Sequence, residues 1–159
     1  MTEDRNLKML QFDLRHPGTD RRATVQRIQD YGNPISAVED KYVLVIAADN
    51  LAALSIKAAR AWVDAGASYI CAWGRDSSEI EESFDYAAFL PECGAPLPFM
   101  LMTTSHTKNT LDESLWFAFY NAHAPDDLDV DNYTSPIVVI VDSDSLFQQC
   151  SVWITENTE

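Results

Sequence analysis

The clearest periodic signal in the chain lies between residues 41 and 150. Tyr42 to Ala48 (YVLVIAA) is an unbroken apolar run rich in β-branched residues. That is the pattern of a strand buried on both faces of a parallel sheet. Asp49 or Asn50 then stands where a helix N-cap belongs. Leu51 to Ala65 keeps helical spacing, with Leu51, Leu54, Ala58, Ala61 and Trp62 on one side and Gly66 at its end. The cycle recurs. Tyr69 to Trp73 predicts a second strand, and Ser78 and Glu81 have capping-box spacing ahead of a helix bearing Ile80, Phe84 and Ala88. A loop over 91–98, with three prolines, leads to a third strand from Phe99 to Thr103. Thr110 and Glu113 repeat the capping-box spacing before a helix with Leu115, Trp116, Phe119 and Tyr120 on its apolar face. An acidic loop precedes a fourth strand, Ile137 to Val141 (IVVIV). Ser143 or Asp144 then caps a last short helix reaching Cys150.

Strands and helices alternating at this spacing predict βαβ units. The expected fold is an α/β three-layer sandwich, with a mostly parallel sheet of four to five strands and helices on both faces. Residues 1–40 read as an N-terminal extension packed on that core. Leu10, Phe12 and Leu14 alternate with Gln11 and Asp13, the pattern of a half-buried edge strand. Thr19 or Asp20 would cap a short helix with Val25 and Ile28 on one face, and Arg21, Arg22 and Arg27 give it a local basic patch. Residues 41–150 form the core of a single domain and 151–159 a tail.

Charge changes this picture most. The formal net charge is −14, from 25 acids and 11 bases. Residues 1–41 balance seven acids against seven bases, so the whole excess falls after them. From Asn109 to the end there are ten acids and no Lys or Arg. Such a field repels phosphate backbones and anionic lipid and attracts a basic protein or a cation. Hydrophobic residues make up 47% of the chain, which is a globular composition. No apolar run approaches the roughly 18 residues that a membrane span needs. The opening MTEDRNLKML lacks the apolar segment of a signal peptide, so the expected location is the cytoplasm. Cys71, Cys93 and Cys150 are odd in number and form no C-x-x-C pair, which predicts reduced thiols.

Candidate chemistry gathers where the predicted strands end, since open α/β sheets bind ligands at their carboxyl edge. Asp49, Asp142 and Asp144 are hard oxygen ligands that suit Mg2+. His106, after Thr104 and Ser105, is a candidate general acid or base. The competing reading makes these aspartates helix caps and His106 a loop residue. His16, before Pro17, reads as a turn residue and His123 as a partner of a helix end. Gly74 to Ser78 offers a helix N-terminus with Arg75, but G-x-G-x-x-G and Walker-A patterns are absent. Asp127, Asp129 and Asp131 mimic the start of a calcium loop that then fails, with Asn132 where Gly is needed and Val138 where Glu is needed. With Asp126 they read better as an acidic contact surface. Trp116 and Tyr120, if exposed, would join that surface.

The runs Tyr69 to Gly74 (YICAWG), Phe99 to His106 (FMLMTTSH) and Leu111 to Phe117 (LDESLWF) resemble a family of small bacterial domains of unknown function. Its members carry A-W-G, then M-T-T-W-H, then an acidic stretch with L-W-F or F-W-F. The likeness spans roughly residues 41–142, with Ser105 in place of the family's Trp. It implies a compact α/β domain and supplies no activity.

The expected function is therefore that of a small acidic, non-catalytic domain that binds a basic protein, in the manner of an immunity or inhibitor protein or a phage-defence component. Asp126, Asp127, Asp129, Asp131, Trp116 and Tyr120 would make the contact. The alternative is a metal-dependent phosphoester hydrolase or nuclease, with Asp49, Asp142 and Asp144 on Mg2+ and His106 as acid or base. A homodimer built on an apolar helix face or sheet edge is a third possibility.

Overall fold

The computed structural model describes residues 11–28, 41–48, 54–127 and 133–157. The strands are β1 (Gln11–Arg15), β2 (Arg22–Arg27), β3 (Tyr42–Ala47), β4 (Ala67–Trp73), β5 (Met102–His106) and β6 (Ile137–Val141). The helices among the described residues are α1 (Ile56–Asp64), α2 (Ser77–Phe89), α3 (Leu111–Asn121) and α4 (Asp144–Glu156), with one 3-10 turn at Pro91–Cys93. The strands form one sheet in the order β1-β2-β6-β3-β4-β5. Among the described residues only the β1–β2 pair is antiparallel.

This order explains the layers. The chain steps outward from β3 to β4 to β5, then returns across the sheet to β6. Right-handed crossovers running in opposite directions place their helices on opposite faces. Accordingly Leu44, Ile46, Ile70 and Ile140 pack against Trp62 of α1 and Phe84 of α2. Val43, Val45, Cys71 and Val139 pack against Leu115 and Phe119 of α3 and Trp153 of α4. The strands β3 and β6 are buried along their whole length, as their continuous apolar sequence requires.

Local signals fix the ends of the elements. Ser55 caps α1 by accepting from the Ala58 amide, and Thr110 and Glu113 form the expected capping box on α3. Gly74 adopts φ +121°, and a Cβ there would lie 2.1 Å from the Ala48 carbonyl oxygen. Only glycine lets the β4 turn approach β3 so closely.

Several expectations are corrected. The sheet has six strands, one more than foreseen, because residues 22–27 form a strand and not a helix. Ala23 and Val25 face the α3–α4 core, while Thr24 bonds Asp13 on β1 at 3.0 Å. Pairing on both sides thus outweighs the weak helical spacing of Val25 and Ile28. The third core strand begins at Met102, not Phe99; Phe99 and Leu101 pack under α1 and α2 as irregular chain. The last helix continues to Glu156, where a tail was expected from residue 151, because Trp153 and Ile154 extend its buried face. Asp76 is the N-cap of α2, two residues ahead of the expected Ser78, and makes no side-chain cap bond.

Candidate functional site

The carboxyl edge of the sheet does not bring His106 together with Asp142 and Asp144, the described members of the alternative catalytic set. Asp142 and Asp144 follow β6, whereas His106 ends β5, two strands beyond β3. Three inter-strand spacings separate those strands by about 14 Å. Asp144 is held by Arg27, with its Oδ1 2.6 Å from Nη1, and begins α4 after the Ser143 cap. Asp49 lies outside the described residues. Among the described residues no three His, Cys, Asp or Glu side chains gather in a metal-binding group.

His106 is nevertheless well built into the structure. It is only 8% exposed and packs at 5.1 Å from the Phe117 ring. The Thr104 hydroxyl donates to the Ile70 carbonyl at 3.1 Å, so it accepts from His106 Nε2 at 3.0 Å. That bond places the neutral ring's proton on Nε2. Burial pushes the His106 pKa down; the Asn109 side chain and the Glu81 carboxylate oppose this. A neutral imidazole is therefore the form present at pH 7.

His106 stands at one side of an open groove of about 570 Å³ on the α3–α4 face. Its other lining residues are Asn109, Asp112, Glu113, Trp116, Phe117, Trp153 and Asn157. Among the described residues no Lys or Arg lines it. Trp116 is 46% exposed and stacks on Tyr120 at 5.2 Å. Asp112, Trp116 and Tyr120 follow one another at intervals of four residues, which aligns them on one face of α3. The Thr110 backbone amide, and secondarily its hydroxyl, hold the Glu113 carboxyl below the usual range, so it is ionised. Sequence reading singled out Trp116 and Tyr120 but missed Asp112, Glu113 and Trp153. The four-residue spacing from Asp112 to Trp116 was the available signal.

The acidic loop divides. Asp126 is exposed and borders a second hollow with Lys41, Asp64 and Asp127. The Asp127 carboxylate turns inward, accepting from the Thr134 and Ser135 amides at 2.6 and 2.8 Å. It ties Asp127 to the segment that enters β6. Asp129 and Asp131 lie outside the described residues.

Behind that tie lies Arg21, 1% exposed. Its guanidinium donates to the carbonyls of Ala118, Phe119 and Ala122 and to the Ser135 carbonyl and hydroxyl, at 2.7 to 3.2 Å. Burial lowers its pKa to about 10, while the Asp127 charge opposes that. Arg21 thus serves the carboxyl end of α3 where unpaired carbonyls accumulate. The expected basic patch does not form as such: Arg21 is internal, Arg27 pairs with Asp144, and Arg22 is exposed.

The fold so described is that of an α/β domain with a mostly parallel six-stranded sheet. Its sequence matches the profile of a family described as Domain of unknown function (DUF7684) over residues 22–153, and the chain belongs to that family. The match begins at β2, so it takes in part of the N-terminal zone that the resemblance had left out. No curated protein and no solved structure matches the chain. Among the described residues no helix is long and apolar enough to cross a membrane.

Proposed function

We propose that this protein is a non-catalytic acidic domain that captures a basic protein partner; an immunity or inhibitor protein is the concrete form. The observation that carries the reading is how the charges are deployed. Arg21 is buried and donates to carbonyls, and Arg60, 9% exposed, donates to the Ala87 and Ala95 carbonyls as well as to Asp64. Both cations therefore support the fold's interior. Arg15, Arg27 and Arg75 each lie beside an aspartate, at 3.2, 2.6 and 3.8 Å. The carboxylates of Glu79, Glu82, Asp112 and Asp126 are exposed, and that of Glu113 is exposed while capping α3; the exposed bases include Arg22, Lys57 and Lys108. Such a field raises encounter rates with a cationic surface and suppresses other partners.

The test is affinity capture on the immobilised protein from cells that make it, with a salt ladder for elution. The reading predicts a retained protein of high isoelectric point that elutes as salt rises. It also predicts loss of that protein with the variant Asp112→Lys/Asp126→Lys, which leaves the Glu113 cap in place. Retention indifferent to salt or to this reversal contradicts it.

A further inference from the structure

We infer that the groove on the α3–α4 face receives an arginine side chain of that partner, its guanidinium stacked on Trp116 and paired with Asp112. This deepens the reading above and rests on it. Three features of the groove point to arginine in particular.

The first is charge. Asp112 and Glu113 border the groove, His106 is neutral there, and among the described residues no Lys or Arg lines it. A positive group entering it meets these acids and, among the described residues, no lining cation.

The second is shape. Trp116, Phe117 and Trp153 give the groove aromatic walls. Tyr120 backs the Trp116 indole at an interplanar angle of 24°, which fixes the ring while leaving it 46% exposed. A fixed indole face is a good surface for a planar cation.

The third is juxtaposition. Asp112 stands one helical turn before Trp116 on the same face of α3. A carboxylate beside an indole face suits a guanidinium, which can stack and donate two parallel hydrogen bonds together. The ammonium of lysine is a point charge and cannot do both.

The experiment uses two peptides of equal length and charge, one alternating arginine and serine, the other lysine and serine. Binding to the full chain is followed by tryptophan fluorescence and by amide chemical shifts. The arginine peptide should bind at least about threefold more tightly, the advantage expected of stacking at an exposed site. The largest shifts should fall on Trp116 and its α3 neighbours. Trp116→Ala should erase the preference while leaving salt-dependent binding of both peptides. Asp112→Asn, which keeps the ring, should weaken the arginine peptide more than the lysine one. Equal affinities, or a preference that survives Trp116→Ala, would overturn the arginine site and leave the acidic capture reading standing. No binding of either peptide at low salt would defeat both.

Discussion

His16 lies parallel to Trp153, with ring centroids 5.1 Å apart and planes 8° from coincidence. Phe119 and Tyr120 close around the same imidazole at 4.8 and 5.6 Å. The Thr19 amide donates to Nδ1 at 3.1 Å, so the neutral ring carries its proton on Nε2. His16 joins the β1–β2 hairpin to α3 and α4, and it is fully buried.

A pH dependence follows. Burial holds the His16 pKa below 6.5; Asn157 opposes this and the Arg21 charge reinforces it. His106 is lowered in the same direction. The unfolded chain then binds protons at a pH where the folded chain does not. Stability is complete above the unfolded value of about 6.5 and falls as pH drops below it, by at most about 1.4 kcal/mol per pH unit for each group. Urea midpoints measured from pH 7.5 to 5 should show this decline. His16→Phe, which keeps the stacking, should make the decline shallower.

Arg21→Met should cost at least about 3 kcal/mol, because several carbonyls at the end of α3 and before β6 lose their donors together. Arg21→Lys should recover only part of this, since one ammonium cannot span carbonyls on two segments. Denaturant unfolding of both variants measures it.

Gly74→Ala should destabilise by about 2 kcal/mol or more. The residue has a positive φ, and the new Cβ would meet the Ala48 carbonyl, which is main chain and cannot swing aside. Thermal unfolding is the readout.

The three thiols should react unequally. Burial raises both Cys71 and Cys150 to about 12, while Cys93 is partly exposed in the 3-10 turn. A thiol reagent at pH 8 should label Cys93 first in the native protein, and all three sites only after unfolding.

What could be read from residues alone follows a physical divide. YVLVIAA and IVVIV announce buried strands because both faces must be apolar, and Thr110 with Glu113 announces a helix start because that chemistry is local. The strand at Arg22–Arg27 was hidden because its identity depends on β1 and β6 on either side of it. Arg21 read as a surface charge because nothing in its neighbourhood names carbonyls about a hundred residues away. His16 does stand at the hairpin turn, bonding Thr19 and Asp20 across it, but its burial against Trp153, distant in sequence, was not legible. The groove followed the same rule. Trp116 and Tyr120 were visible as aromatic residues, but the acids beside them needed the helix face, and Trp153 needed the packing of α4.

The most direct test of acidic capture is the association rate constant of the protein with its captured partner, measured by stopped flow across ionic strength. Electrostatic steering predicts a fall of about tenfold or more between low and moderate salt, with the dissociation rate changing far less. An association rate that stays constant as salt rises would contradict it.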